Sequence, residues 1–170
     1  SIAERQNGIG KIQQSFQQEA NRGLSYFYSG TVSFSLTNKD MDILCGGTLG
    51  FNDWFGIAQF SHPNIKLTLH CIELTPTETL FFSAKKLEKI AKDNPEIYKL
   101  LCHLSSSNLI RFLQTTAMSF YDIRARVVYY LLDIASRVKS IKGVVPSIPV
   151  TQQQLSEISG LSRPRINETL

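Results

Sequence analysis

The chain has 170 residues, of which 42% are hydrophobic, and a formal net charge of +4. This length allows one or two domains with buried cores, and no apolar run reaches the roughly 20 residues that a membrane-spanning helix needs. The first residues have no signal-peptide core, so we expect a cytoplasmic protein without a membrane partner. The cysteines, Cys45, Cys71 and Cys102, form no CxxC pair, so we expect buried, reduced thiols, no metal site and no cofactor.

Short runs of alternating apolar and polar residues predict β-structure between about residues 23 and 82. In the clearest run, Val32, Phe34 and Leu36 alternate with small polar residues, which is the period of two of a half-buried strand. Turn-forming residues at Ser29-Gly30 and at residues 38–40 separate the strands. Several short strands at this spacing predict an antiparallel sandwich or barrel.

Two helical segments follow the predicted strands. The first places Leu87, Ile90 and Ala91 on one face, and an Asp-Asn-Pro sequence at residues 93–95 ends it. The second, residues 96–120, has a wide apolar stripe that needs a partner. We expect a second copy of the chain, packed as a coiled coil, in preference to burial against its own domain. The residues expected at the dimer contact are Leu101, Leu104, Phe112 and Leu113.

The last fifty residues predict a small helical domain that carries most of the basic excess. Residues 121–170 contain 7 Lys and Arg against 4 Asp and Glu, whereas residues 1–120 contain 11 against 10. Asp122 is expected to cap a helix that begins at Ile123. Basic residues concentrated in one domain are expected where the protein meets phosphates.

The final twenty residues predict a helix-turn-helix motif. Thr151 and Gln154 have the spacing of a capping box, and Gly160 interrupts the helical pattern where a tight turn needs a positive φ. Ser162 is placed to cap a second helix, and Pro164 lies in its first turn. Apolar residues four apart, Ile166 and Leu170, are expected to face inward.

The second helix of this motif has side chains suited to the major groove of DNA. Arginine recognises guanine there and asparagine recognises adenine. An ordinary helical hairpin shares the pattern of a glycine between two short helices, so the motif alone leaves both interpretations open. The residues expected to contact DNA are Thr151, Gln152, Ser162, Arg163, Arg165 and Asn167.

The order of these elements resembles that of the Crp/Fnr superfamily of bacterial transcription regulators. The residues that support the resemblance are YFYSGTVSFSL around Gly30, the FG step at residues 55–56, DNPEIYKLL from residue 93, FYDIRARVVYYLL from residue 120, and LSRPRINETL. It implies an α+β fold in three parts. Residues 1–95 form an antiparallel, jelly-roll-like β-roll of the cyclic-nucleotide-binding type. Residues 96–120 form a dimerisation helix, and residues 121–170 form a winged-type helix-turn-helix domain that lacks its C-terminal part.

The resemblance also implies a hinge and an effector pocket. The hinge between dimer helix and DNA-binding domain falls at Phe120, Tyr121 and Asp122. Members of the superfamily that bind cyclic AMP have a Gly-Glu-Leu step for the ribose and an Arg-Ser/Thr pair for the phosphate. The corresponding residues here are Gly56, Ile57, Ala58, Lys66, Leu67 and Thr68. Because Ile57 accepts no hydrogen bond and a lysine replaces the bidentate guanidinium, we expect a different small-molecule effector or none.

The predicted function is that of a homodimeric, sequence-specific DNA-binding transcription regulator. Paired long helices would carry two recognition helices to major grooves about 34 Å apart, so a near-palindromic operator is expected, with RNA polymerase as a candidate partner. One alternative is a ligand-binding or protein-interaction module of the same fold that does not bind DNA. Another is a cupin-type enzyme. His62 and His70 with nearby glutamates lack the spacing of cupin metal ligands, so no enzymatic activity is expected.

Overall fold

The computed structural model describes residues 3–10, 22–37, 43–57, 68–138, 147–148 and 150–170. The strands in these ranges are β1 (Glu4–Asn7), β2 (Gly23–Thr37), β3 (Ile43–Leu49), β4 (Trp54–Phe55) and β5 (Thr68–Ser83). The helices are α1 (Ala84–Asp93), α2 (Glu96–Ala117), α3 (Ile123–Arg137), α4 (Gln152–Ser159) and α5 (Arg163–Asn167), with a 3-10 turn at Met118–Phe120 after α2. In the part of the chain that the structure describes, no helix has both the length and the apolarity to cross a bilayer.

The strands form an antiparallel sheet, which confirms the predicted α+β class. The strand order is β1-β5-β2-β3, and the short β4 pairs with the first part of β2. The two long strands, β2 and β5, pair along most of their length, but their register shifts between Phe27 and Val32. Such irregularities bend and twist a strand pair, so one sheet can curl around its own core.

Two apolar clusters fill the space that the curled sheet encloses. One consists of Phe27, Val32, Leu49 and Cys71. The other joins the sheet to both helices that follow it, through Leu24, Ile57, Leu87, Leu101 and Leu104. Burying side chains of this size contributes about 1.5–3 kcal/mol each, so α1 and the first half of α2 belong to the same hydrophobic core as the sheet.

Ser33 and Ser35 of β2 are buried, although their alternation with apolar residues predicts a half-buried strand. Ser33 and Ser35 pair with Thr48 and Gly46 of β3, and all four lie inside the protein. Directly paired residues of an antiparallel sheet share a face. The side chain of Thr48 donates a hydrogen bond to Asp133 of α3. The face predicted to meet solvent is therefore covered by the C-terminal helices.

The two cysteines whose side chains are described differ in environment. Cys71 is buried in the sheet core, and burial raises the pKa of its thiol to about 12, so the reactive thiolate is scarce at neutral pH. Cys102 is exposed on α2, so the prediction of burial is wrong for this residue. Among the described residues, no group of three His, Cys, Asp or Glu side chains is placed to hold a metal ion.

Candidate nucleic-acid interface and the cavity behind it

The first helix of the predicted helix-turn-helix motif begins and ends as its sequence predicts. Thr151 Oγ1 accepts a hydrogen bond from the backbone N–H of Gln154 (3.2 Å), and the side chain of Gln154 accepts one from the backbone N–H of Thr151 (2.8 Å). This reciprocal pair is the predicted capping box. Gly160 follows α4 with φ of 63°, in the left-handed region. The chain thus turns where the sequence places the turn.

Replacing Gly160 with alanine is expected to lower the free energy of unfolding by about 1 kcal/mol, because an L-residue is strained at this φ. Among the described residues, no atom outside the local chain lies within 4 Å of the position that a Cβ would take, so we attribute the cost to the backbone conformation. Asparagine tolerates this conformation better, and Gly160→Asn should cost roughly half as much. Urea denaturation of both variants checks the comparison, and equal losses would show that the backbone conformation is not the cause.

The second helix is short, and two predictions about it need correction. Ser162 is the N-cap residue of α5, but its side chain makes no capping hydrogen bond. Pro164 lies in the first turn as predicted, and Ile166 is fully buried. Leu170, predicted to face inward with Ile166, is 66% exposed, because the helix ends at Asn167 and the chain no longer keeps the four-residue period.

A separate apolar core holds the two helices of the motif against α3. Its buried residues are Val127, Tyr130, Ile134, Leu155, Ile158, Leu161 and Ile166. Asp122 caps α3 as predicted, since its Oδ1 accepts a hydrogen bond from the N–H of Ala125 (2.8 Å). Ile166 of α5 therefore packs against buried residues of α3 and α4, and this packing holds the start of α5 in place.

The side chains predicted to contact DNA lie on the outside of this helical domain. All six are exposed: Thr151, Gln152, Ser162, Arg163, Arg165 and Asn167. None of the ion pairs among the described residues involves Arg163 or Arg165. Arg163 and Arg165 therefore lie near the start of a helix that is anchored by its buried side. Their positive charges face the solvent and are not neutralised by an ion pair with a described residue.

The long helix α2 has one face that is buried in the chain's own core and another that is exposed to solvent. Leu101 and Leu104, predicted at the dimer contact, are buried in the chain's own core because they face the sheet and α1. They are therefore unavailable to a second chain. Phe112 and Leu113 are exposed, as are Leu109 and Ile110. These four residues lie in the second half of the helix, and we call them the exposed apolar surface of α2.

The predicted hinge coincides with a change of backbone conformation. The helix α2 passes into the 3-10 turn, Tyr121 is extended, and α3 then begins after its cap at Asp122. Phe120 and Tyr121 are both exposed.

The helical domain packs against the outer face of the sheet, and glycines in and after β3 allow the close approach. A Cβ atom on Gly46 would stand 3.1 Å from the carbonyl oxygen of Ile158 in α4. One on Gly50 would stand 2.5 Å from the Cβ of Arg137 in α3. Larger residues at these two positions would push the helices away from the sheet.

Four charged residues join the sheet, α2 and α3 at this contact, and we call them the interdomain ion cluster: Asp53, Arg111, Asp133 and Arg137. Asp53 Oδ1 accepts hydrogen bonds from Arg111 Nη1 (3.2 Å) and Arg137 Nη1 (3.1 Å). Arg137 Nη2 also donates to Asp133 Oδ1 (3.0 Å). Burial raises the pKa of Asp53, although both arginines act in the opposite direction. The carboxylate of Asp53 is therefore largely removed from water. The two arginines that balance its charge lie on α2 and α3.

A cavity of about 600 Å³ lies beside this cluster, between the sheet, α2 and the helical domain. Its walls include Trp54 and Phe55 from β4, Asn108 from α2 and Arg126 from α3. Of the residues predicted to bind an effector, those whose side chains the structure describes do not line this cavity. Of those, Gly56 and Ile57 are buried and Ile57 is packed in the sheet core. Ala58, Lys66, Leu67 and the side chain of Thr68 lie outside the described residues.

Sequence reasoning missed the ion cluster and the cavity. Asp53 is separated from Arg111 by 58 positions and from Arg137 by 84. No local pattern marks either pairing. A weak signal is the run of glycines at residues 46, 47 and 50, which are unfavourable in a strand unless another backbone approaches closely.

Comparisons with known proteins identify the fold. Neither a protein-family model nor a curated protein matches the sequence. Among solved structures, FixK2 from Bradyrhizobium japonicum aligns with a TM-score of 0.78 at 14% identity, over 99% of this chain and 83% of that one. The global regulator CLP of Xanthomonas campestris, described as responsive to c-di-GMP, aligns with a TM-score of 0.71 at 18% identity, over 99% and 85%. A Eubacterium rectale protein described as a Crp/Fnr-family transcriptional regulator aligns with a TM-score of 0.67 at 16% identity, over 87% and 67%. The chain has the fold of these regulators, as its sequence pattern predicts.

Proposed function

We propose that the chain is a homodimeric, sequence-specific DNA-binding transcription regulator. The observation that carries the proposal is the exposure of Arg163 and Arg165 in the first turn of α5, the second helix of a capped helix-turn-helix motif. Arginine in this position reaches guanine edges in the major groove, and each bidentate contact discriminates by about 1–3 kcal/mol. Thr151 and Gln152 are exposed at the start of α4. We propose that they contact phosphates, which would fix the orientation of such a motif on DNA.

The exposed apolar surface of α2 supports the dimer. A seam with spacings of four and three residues runs through Cys102, Ser106, Leu109 and Leu113, all of which are exposed. This is the spacing of core positions in a coiled coil, and Ile110 and Phe112 flank the seam. A monomer would leave these side chains in water. We therefore propose that Leu109 and Leu113 pack against the same residues of a second chain.

The dimer is expected to dissociate when charge enters this seam. Leu109→Glu combined with Leu113→Glu should weaken self-association on the order of 100-fold, because unpaired carboxylates would be buried between the helices. Sedimentation velocity checks the mass. Leu100→Glu is the matched control, since Leu100 is an exposed leucine of the same helix that lies off the seam. It should leave the dimer intact.

Cys102 provides an independent test of how the two helices pair. In a parallel pair, each seam residue faces its counterpart, so a short bis-maleimide should cross-link two chains through Cys102. Cys102→Ser should abolish the cross-link. A monomeric wild-type chain, or a cross-link that survives Cys102→Ser, would contradict the proposed seam.

We do not propose cyclic AMP as the effector. At the position where relatives that bind it carry a glutamate, Ile57 is packed with Leu24 and Leu87 in the sheet core. A ribose hydroxyl placed there would lose its hydrogen bonds to water without gaining a partner. In the proposal, an effector acts by shifting the helical domains about the hinge at Phe120, Tyr121 and Asp122, which changes the spacing of the two recognition helices.

Selection from a pool of random DNA duplexes tests the proposed specificity. A dimer with two recognition helices should enrich a near-palindrome whose half-sites are about 34 Å, or one helical turn, apart. Arg163→Ala and Arg165→Ala should each relax the preference at the base pairs that the lost side chain reads. If the selection enriches no common sequence, the result would favour the alternative, a protein-interaction module of the same fold.

A further inference from the structure

The direction of α5 depends on the turn, residues 160–162, that connects it to α4. The helix has only five residues, and its N-cap residue, Ser162, makes no capping hydrogen bond with its side chain. A helix this short is not stable through its own hydrogen bonds, so the contacts around it decide where it points. Besides the buried side chain of Ile166, those contacts are the hydrogen bonds to the backbone of the turn.

Two serines of α4 bind the backbone of Leu161, the residue after Gly160. Leu161 is buried, so its backbone polar groups are shielded from water. The hydroxyl of Ser156 donates a hydrogen bond to the carbonyl oxygen of Leu161 (2.5 Å). The hydroxyl of Ser159 accepts one from the N–H of Leu161 (3.3 Å) and donates one to the carbonyl oxygen of Leu155 (2.6 Å). Because a buried backbone group without a partner is unfavourable, the two hydroxyls fix where Leu161 lies.

Arg126 of α3 holds the end of α4. Its Nη2 donates a hydrogen bond to the carbonyl oxygen of Ser159 (2.9 Å), which is the last residue of α4. The last carbonyl groups of a helix have no partner within the helix, and an arginine supplies one together with a favourable charge. The three helices of the motif's domain are thus tied together where the chain turns toward α5. We call Arg126, Ser156 and Ser159 the turn network.

We propose that Arg126 and Ser156 are positioning residues for DNA recognition. By fixing the turn, they set the rotation of α5, so that Arg163 and Arg165 reach base edges together. Neither positioning residue itself needs to touch DNA. Hydrogen bonds to bases weaken steeply when their angles change, whereas attraction to phosphates depends mainly on charge. Loss of the turn network should therefore reduce discrimination between sequences and spare nonspecific binding. This inference rests on the proposed DNA-binding function.

Ser156→Ala tests the inference through the ratio of two dissociation constants, that for a random duplex and that for the selected duplex. The substitution leaves the carbonyl group of Leu161 without its donor and removes no charge. Affinity for the selected duplex should fall about 10-fold and affinity for the random duplex less than about 2-fold. Circular dichroism confirms that the variant is folded under the binding conditions. A hydrogen bond that only stabilised the fold would leave the ratio unchanged, because the folded molecules would recognise DNA as the wild type does.

Ser136→Ala is the matched control, because the hydroxyl of Ser136 also donates to a backbone carbonyl oxygen, that of Asp133 within α3 (2.7 Å). It should keep the wild-type ratio, and so should Ser156→Thr, which retains a hydroxyl. If Ser156→Ala does not fold, Arg126→Gln and Arg124→Gln provide the same comparison. Both remove one positive charge from α3, but only Arg126 bonds to the end of α4.

The possible failures of the inference and of the proposed function are distinguishable. If the wild-type chain prefers the selected duplex and Ser156→Ala prefers it equally well, the positioning role is overturned while the proposed function stands. An equal fall of the ratio in Ser156→Ala and Ser136→Ala has the same meaning. A wild-type chain that binds all duplexes equally well would overturn the proposed function and this inference with it.

Discussion

Asp53→Ala is expected to lower the free energy of unfolding by about 3 kcal/mol, although Asp53 is only one carboxylate on a short connection between strands. Its removal would leave Arg111 and Arg137 without their shared acceptor, in side chains that are only 29% and 18% exposed. Removing one partner of a buried ion pair typically costs about 3–5 kcal/mol. Because Arg111 is partly exposed, we expect a loss at the lower end of this range. Asp53 Oδ2 also accepts the N–H of Gly50 (2.9 Å), so the turn before β4 would loosen as well.

Urea denaturation measures this loss, and an exposed ion pair provides the control. Lys99 and Glu96 lie 2.7 Å apart with side chains 78% and 69% exposed, so Lys99→Ala should cost at most about 0.5 kcal/mol. Because the ion cluster connects the sheet, α2 and α3, we also expect Asp53→Ala to separate one unfolding transition into two. If Asp53→Ala and Lys99→Ala cost the same, the cluster does not hold the domains together.

Ile166→Ala is expected to lower the stability of the helical domain by about 3 kcal/mol and to abolish DNA binding. Ile166 is fully buried in the core formed by α3, α4 and α5, and it is the only buried residue within the five-residue α5. Deleting three buried carbons leaves a cavity and typically costs 2–5 kcal/mol. A helix of five residues is stable only through its tertiary packing, so α5 should unfold when this packing is lost. Arg163 and Arg165 would then no longer be held in place.

Hydrogen exchange of the amides in α4 and α5 follows the local loss directly. Leu170→Ala is the matched control, because this leucine lies four residues further along the chain and is 66% exposed. It should change stability by no more than about 0.5 kcal/mol. Equal protection in the two variants would mean that Ile166 does not anchor the second helix of the motif.

Features fixed by neighbouring residues could be predicted from the sequence. The capping box at Thr151 and Gln154, the left-handed Gly160 and the cap at Asp122 depend on groups within three residues of one another. The antiparallel strands follow from the period of two in their side chains. Because these local preferences agree with the overall fold, they can be predicted from the sequence alone.

Features fixed by distant packing could not be predicted. Leu101 and Leu113 occupy the same apolar stripe in the sequence, yet one packs against the sheet and the other is exposed. Ser33 and Ser35 of β2 are polar and small, so their pattern indicates exposure to solvent, whereas the helical domain covers their face of the sheet. The partners of Asp53 lie on two different helices, and only the assembled fold brings them together.

The salt dependence of DNA binding tests the central proposal most directly. Fluorescence anisotropy with a selected duplex should show affinity that falls steeply with salt concentration, because arginine contacts release counterions from the DNA. Arg163→Ala combined with Arg165→Ala should lose affinity about 100-fold or more. Lys89→Ala combined with Lys92→Ala removes the same charge from exposed positions of α1 and should lose less than about 3-fold. Affinity that is independent of salt, or an equal loss in the two double variants, would contradict recognition of DNA through α5.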